Sequence, residues 1–147
     1  MRSKLPDYEL RFTVFLNNVI SKIDGKVTLI LFGSRSKGDF APWSDFDVLL
    51  ITPPGTKFER TSLILEANTA YAPLELFIVD VDAVEQEMET STIILDAVAE
   101  GRVLHDGLGL YSRLKDKLER LQKTGWKKNS GGWTIPKLRD GFVENRR

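Results

Sequence analysis

The stretch GSRSKGDFAPWSDFD, residues 33–47, joins two apolar runs of the chain. The first run, residues 27–32, ends at the Gly-Ser pair, and the second, residues 48–51, follows the last aspartate directly. Both runs are short, nearly continuous and rich in Val, Leu and Ile, which is typical of strands covered on both faces. The stretch is therefore predicted to carry the chain from the end of one buried strand to the start of the next.

Asp45 and Asp47 lie one residue apart at the start of the second run. In an extended chain, residues i and i+2 point to the same face with Cα atoms about 6.5–7 Å apart, so Phe46 points to the opposite face. Two neighbouring carboxylates repel each other and raise a pKa unless a cation lies between them. The pair therefore favours a site for Mg²⁺, which prefers carboxylate oxygens and leaves positions open for substrate phosphates.

The other end of the stretch places a turn before a predicted helix start. Gly33 and Ser34 could hold a phosphate through backbone N–H groups and a hydroxyl, although Gly-Ser turns are common and the signal is weak by itself. Arg35 and Lys37 follow, and they could either neutralise a triphosphate or be exposed turn residues. Function is the favoured interpretation for Arg35, because it lies closer to the turn.

A third carboxylate, Glu75, lies inside the apolar run of residues 74–79. Burying a lone charge in a strand costs on the order of several kcal/mol of folding free energy unless the charge is paired or coordinated. If this strand lies beside the one that carries Asp45 and Asp47, the three carboxylates converge. Two metal ions about 3.5–4 Å apart could then clamp the attacking and leaving oxygens of an in-line transfer. The alternative interpretations are a solvated aspartate pair and an edge-strand glutamate that faces water.

The rest of the chain alternates helical and strand patterns. An amphipathic helix capped by Asp7 is predicted first, with an apolar stripe of Leu10, Val14, Phe15, Val19 and Ile20. Further helices are predicted over residues 58–70, 84–88, 91–100 and 108–121, and a short edge strand over 103–105. The predicted fold class is α/β (α+β), a short mixed sheet with flanking helices, in a domain of residues 1–124 followed by a C-terminal tail, residues 125–147.

Composition excludes several classes of protein. The 147-residue chain has no cysteine and one histidine, His105, which excludes disulfides, thiolate zinc sites and His-rich metal sites. His105 is interpreted as structural. No apolar run approaches the roughly 20 residues that span a bilayer, and the N-terminus does not resemble a signal peptide. We therefore expect a soluble, cytoplasmic protein without a membrane partner.

Charge is divided unevenly along the chain. Residues 1–100 carry 9 basic and 16 acidic side chains, whereas residues 101–147 carry 12 basic and 5 acidic ones. The basic end could lie on the acidic body, meet an anionic partner, or be a solvated helix. Trp126 and Trp133, among Lys127, Lys128 and Lys137, could stack on nucleic-acid bases. The favoured interpretation is that they attach the tail, which is expected to form no regular element, to the body or to a partner.

Together, G-S-x₁₀-D-x-D and the carboxylate on the next core strand resemble the DNA polymerase β nucleotidyltransferase superfamily. The nearest resemblance is to the minimal nucleotidyltransferases of prokaryotes, which are often encoded beside a HEPN-domain partner in toxin–antitoxin-like pairs. Residues 94–106 are similar to the helix–Gly–strand segment that follows the core in those proteins. The resemblance covers roughly residues 10–121.

The resemblance implies roles for individual residues. Gly33 and Ser34 would bind the nucleoside triphosphate, Asp45 and Asp47 would hold the metals, and Glu75 would hold the metal at which the acceptor is activated. Many members have aspartate at that third place, so Glu75 is a departure that could shift metal geometry. Two Mg²⁺ ions, or Mn²⁺, and ATP or another NTP would be required.

Three functions remain open at this point. The first is Mg²⁺-dependent transfer of a nucleoside monophosphate to an acceptor hydroxyl, with a tyrosine of a HEPN ribonuclease as the first choice. The second is a binding protein with a vestigial site that neutralises a HEPN partner through the basic tail and the stripe of Leu110, Leu114, Leu118 and Leu121. The third is a small-molecule transferase of the aminoglycoside-modifying type. A homo-oligomer is open as well.

Overall fold

A computed structural model describes residues 7–54, 57–130 and 132–136. Its helices are α1 (Tyr8–Lys22), α2 (Ser34–Lys37), α3 (Lys57–Asn68), α4 (Val84–Glu87), α5 (Thr92–Glu100) and α6 (Tyr111–Lys123). Its strands are β1 (Thr28–Phe32), β2 (Phe46–Thr52), β3 (Leu74–Asp80), β4 (Arg102–Asp106), β5 (Lys127–Asn129) and β6 (Gly132–Thr134). Within these residues, no helix is both long enough and apolar enough to cross a membrane.

Four strands form a mixed sheet in the order β3-β2-β1-β4. Strand β1 is antiparallel to both of its neighbours, whereas β2 and β3 are parallel and are connected through α3. All five residues of β1 are buried, as its continuous apolar sequence predicts for an inner strand. The predicted mixed sheet with flanking helices is confirmed.

The sheet separates two apolar clusters, because side chains alternate between its faces. Leu29 and Leu31 of β1 belong to the cluster under α1 and α3, whereas Ile30 and Phe32 belong to the cluster under α5 and α6. Both faces are therefore covered, and chemically active side chains can reach solvent only at strand ends and edges.

The predicted stripe of α1 is only partly correct. Asp7 caps the helix, since its Oδ1 accepts a 3.0 Å hydrogen bond from the Leu10 amide. The helix buries Phe12, Phe15 and Val19, whereas Leu10 and Val14 are 60% and 50% exposed. The helix is rotated so that these three buried positions, at i, i+3 and i+7, face the sheet.

The leucine stripe of α6 is part of the core. Leu110, Leu114 and Leu118 are buried in the cluster that contains α5, and Leu121 packs against it. Leu110, Leu114 and Leu118 are therefore core residues rather than partner contacts, which corrects the hypothesis of a partner-binding stripe for these three, whereas Leu121 is only partly buried.

The expectation that no regular element follows residue 125 is also wrong. Strands β5 and β6 pair as an antiparallel hairpin, and Lys128 Nζ and Trp133 Nε1 donate hydrogen bonds of 2.6 and 2.7 Å to Asp96 on α5. Trp126 packs on the same core cluster as Trp133. The predicted attachment of the tryptophans to the body is confirmed, while Lys137 lies outside the described residues. The division into residues 1–124 and 125–147 stays a prediction.

The described part of the basic C-terminal segment lies on the acidic body. Arg113 on α6 forms an ion pair with Glu85, and Lys117 Nζ lies 2.7 Å from a carboxylate oxygen of Glu89. Among the interpretations of the charge asymmetry, intramolecular pairing therefore accounts for these residues.

The end of β4 fixes the start of α6. Asp106 accepts a 2.7 Å hydrogen bond from the Thr28 hydroxyl, and bonds of 3.0 and 3.2 Å from the amides of Leu110 and Tyr111. Burial raises the pKa of Asp106, but these bonds and the one from Gly109 outweigh burial and lower the pKa below its ordinary 3.8. The carboxylate thus joins β1, β4 and α6 in its ionised form.

We expect Asp106→Asn to lower the free energy of unfolding at pH 7 by about 1 kcal/mol, because the amides of α6 lose a charged acceptor. Since the folded pKa is depressed, this contribution is present above pH 3.8 and is lost as the pH falls through the folded pKa. Urea denaturation at neutral and acidic pH measures both effects.

Asp116→Asn, which changes an exposed carboxylate on α6, is the control and should change stability by less than about 0.5 kcal/mol. A loss in Asp106→Asn that is the same at every pH would contradict the role of the charge.

Candidate active site

Three carboxylates meet at one end of the sheet. The parallel register of β2 and β3 places Asp47 opposite Glu75, and Asp45 lies just before β2 begins. Each residue has a carboxylate oxygen within 4.8 Å of an oxygen of each of the other two. The predicted convergence of the three carboxylates is thus present in the structure.

The surroundings of Glu75 differ from those expected. Strand β3 is an outer strand of the described sheet, and Glu75 is exposed. The desolvation argument for its function is therefore wrong, because a water-exposed carboxylate needs no cation. What distinguishes Glu75 from an ordinary edge residue is its approach to Asp45 and Asp47.

Asp47 is the most enclosed of the three carboxylates. It lies between Phe32 of β1 and Glu75 of β3 in the sheet register and is half-buried. Burial raises the pKa of Asp47 above its ordinary value of 3.8, and the negative charges of Asp45 and Glu75 raise it further. A bound cation would remove this repulsion.

Gly33 forms the floor beneath Asp47. Its backbone has φ 76° and ψ −159°, a conformation that essentially only glycine adopts. A Cβ built on Gly33 would collide with Oδ2 of Asp47. The sequence indicated a phosphate role for Gly33 but not this steric role. The only sequence signal for the steric role is that Gly33 directly follows β1, the strand that pairs with β2 at Asp47.

Short helix α2 begins at Ser34, directly after Gly33. Ser36, which the sequence did not single out, donates a 3.0 Å hydrogen bond from its hydroxyl to the Gly33 carbonyl and so holds the turn closed. Lys37 is exposed, and its Nζ lies 3.1 Å from a carboxylate oxygen of Glu100. The nucleotide-binding roles of Ser34 and Lys37 stay predictions.

Arg35 is not an exposed turn residue. It is only 5% exposed, and its guanidinium donates hydrogen bonds to the carbonyls of Pro42 and Ser44 within the loop that leads to Asp45. This orientation turns the charged group toward the loop. Direct contact between Arg35 and a nucleotide stays a prediction.

The donor set of Asp45, Asp47 and Glu75 fits a hard divalent cation. All three offer carboxylate oxygens, and exposure on the side of Asp45 and Glu75 leaves room for water and phosphate oxygens. Mg²⁺ prefers this combination, because it keeps several waters and takes one or two carboxylates together with substrate phosphates. The three residues could therefore hold Mg²⁺.

Asp47→Asn should stabilise the metal-free protein. The raised pKa means that the folded chain holds this proton more tightly than the unfolded chain, so metal-free stability falls as the pH rises above 3.8. Removing the charge should add up to about 1 kcal/mol after allowance for solvent screening, or about 2–4 °C in Tm. Thermal melts at pH 7 with and without Mg²⁺ measure this gain, together with the predicted loss of stabilisation by Mg²⁺.

Asp39→Asn, an exposed carboxylate in the preceding loop, is the matched control and should keep both the wild-type Tm and its Mg²⁺ response. A lower metal-free Tm for Asp47→Asn would show that the carboxylates do not repel each other as described.

Gly33 and Gly38 both have positive φ, but only at Gly33 would a Cβ meet another side chain. Gly33→Ala should therefore lose stability through backbone strain and through the clash with Asp47, and it should also lose Mg²⁺ binding because Asp47 must move. Gly38→Ala, at φ 77° with open space around its Cβ position, should lose only about 1–2 kcal/mol and bind Mg²⁺ normally. Urea denaturation and Mg²⁺-dependent melts compare the two variants, and equal Mg²⁺ binding by both would refute the steric role of Gly33.

Comparison with known proteins identifies the family of this chain. The family model of the nucleotidyltransferase domain matches residues 15–105, more than half of the chain. No curated protein sequence matches significantly.

Among solved structures, one described as a toxin–antitoxin with AMP-PNP is similar at a TM-score of 0.50 and 20% identity, covering 76% of this chain and 90% of that one. A mutant of the toxin–antitoxin MntA–HpeT has a TM-score of 0.48 and 18% identity, with 74% and 88% covered. The chain belongs to the nucleotidyltransferase domain family.

Proposed function

We propose that this nucleotidyltransferase carries out the Mg²⁺-dependent transfer of a nucleoside monophosphate from an NTP to an acceptor hydroxyl. The observation that carries the proposal is the approach of the carboxylate oxygens of Asp45, Asp47 and Glu75 to within 4.8 Å of one another, with Asp47 directly against Gly33. Carboxylates held this close despite their repulsion favour a cation site over a structural cluster.

The proposal assigns a role to each residue of the site. Asp45, Asp47 and Glu75 hold Mg²⁺, and Gly33 with Ser34 binds the triphosphate beside them. Mg²⁺ supplies Lewis-acid stabilisation of the charge that develops on phosphate oxygens. Glu75 accepts the proton of the acceptor hydroxyl, whose oxygen forms a bond to the α-phosphorus. The bond from the α-phosphorus to the bridging oxygen breaks, and pyrophosphate leaves.

The exposure of Glu75 supports a large acceptor. Glu75 lies on an outer strand at the open side of the carboxylate cluster, so an acceptor can approach without displacing an element of the fold. A side chain on the surface of another protein fits this arrangement. A small-molecule acceptor is less favoured, because a site with little enclosure would give it few contacts.

The proposed nucleotide and partner come from a similar solved structure. The structure with a TM-score of 0.50 is a toxin–antitoxin with AMP-PNP, an ATP analogue. We therefore propose ATP as the donor, AMP as the transferred group, and a tyrosine of a HEPN-type toxin as the acceptor, so that the protein acts as the antitoxin. Mg²⁺ is the proposed ion at each metal position.

The test is incubation with Mg²⁺, ATP and a HEPN-domain protein encoded beside this chain. Label from the α-phosphate should pass to a tyrosine of the partner, whereas γ-label should leave as pyrophosphate. Asp45→Asn should lower the rate by about 10²-fold or more, because several kcal/mol of charge stabilisation depend on the metal site. Asp39→Asn is again the control.

Two outcomes would contradict the proposal. Transfer of γ-label would show phosphoryl rather than nucleotidyl transfer, and equal rates for Asp45→Asn and wild type would exclude the carboxylate mechanism.

A further inference from the structure

Arg35 occupies an unusual position for a charged residue. Its side chain is 3% exposed, and the guanidinium Cζ lies 4.0 Å from the ring centroid of Phe46 and 4.3 Å from that of Phe40. These two rings lie at the two ends of the loop that precedes β2. Stacking of this kind depends on the planar guanidinium.

The same guanidinium also holds the middle of the loop. Nη2 donates a 2.8 Å hydrogen bond to the Pro42 carbonyl and Nε a 3.2 Å bond to the Ser44 carbonyl. Nη1 makes a longer contact of 3.4 Å with Glu9 of α1, whose side chain is largely exposed. Two of these three guanidinium contacts are thus directed at one short loop.

Asp45 is positioned by this arrangement through its two neighbours. Ser44 precedes it and is held by Arg35 through its carbonyl, while Phe46 follows it and stacks on Arg35. The Phe46 amide also donates a 2.7 Å hydrogen bond to the Pro73 carbonyl, which ties the start of β2 to the start of β3. Asp45 itself is exposed, so its own side chain gives the backbone little restraint.

We infer that Arg35 is a positioning residue, which acts on the metal site through the backbone of the loop of residues 39–45 by fixing the place of Asp45. The inference deepens the proposed function and rests on it, because Asp45 matters only if it holds the ion. It assigns Arg35 a role distinct from neutralising the triphosphate, which a lysine could also perform. Lysine can neither stack between two rings nor donate to two carbonyls in a fork.

Arg35→Lys in the full chain tests the inference without nucleotide or acceptor. Electron paramagnetic resonance should show Mn²⁺ affinity about 10-fold weaker or more, the range typical of residues that orient ligands. Hydrogen exchange of the metal-free protein should show faster exchange of amides 40–46. Phe40→Leu, which removes one ring and keeps Arg35, should show intermediate effects. In the transfer assay, kcat should fall more than the KM for ATP rises.

Asp106→Asn is the matched control for lost stability, because it lies on β4 outside the carboxylate cluster. Its Mn²⁺ affinity and its exchange at amides 40–46 should equal those of the wild type. Equal losses in this variant would assign the effect of Arg35 to global stability and overturn the inference.

Unchanged Mn²⁺ affinity and loop exchange in Arg35→Lys would overturn it as well. Failure of the wild type to bind Mn²⁺ would instead refute the proposed metal site. In that case faster hydrogen exchange of the loop amides in Arg35→Lys would still show that Arg35 restrains the loop backbone. Unchanged exchange would refute that restraint.

Discussion

The parallel pairing of β2 with β3 is the constraint on which the site depends. It sets Asp47 beside Glu75, while the antiparallel pairing of β2 with β1 sets Asp47 above Gly33. The sheet thus forces negative charges together at one end, where burial and repulsion raise the pKa of Asp47. Folding of the buried strands offsets the unfavourable free energy of the three clustered carboxylates. The stability of the sheet therefore maintains the site at its end.

Some of this could be predicted from the sequence, because local spacing fixes it. The i, i+2 relation of Asp45 and Asp47 requires only an extended chain, and the apolar runs around residues 33–47 indicated two buried strands. Lateral strand order is not encoded in local spacing, so an outer strand with an exposed Glu75 was only the alternative interpretation. The convergence with Glu75 was a conditional expectation, and it holds because the strands are neighbours.

Other features depend on contacts between distant parts of the chain. A helix of four residues has no readable periodicity, so the burial of Arg35 between Phe40 and Phe46 left no signal in the sequence. The hairpin of β5 and β6 is rich in lysine and glycine, and it is attached by Asp96, more than 30 residues away in sequence. Likewise, the leucine repeat of α6 indicated an apolar face correctly but not what covers it.

The central claim is that these carboxylates hold a divalent cation for nucleotidyl transfer. Crystals grown with Mn²⁺ and a non-hydrolysable ATP analogue test it most directly, because anomalous scattering distinguishes manganese from water and from lighter ions. The account predicts an anomalous peak in contact with Asp45 and Asp47, with the triphosphate beside Gly33 and Ser34. A bound nucleotide with no manganese at these carboxylates would contradict it.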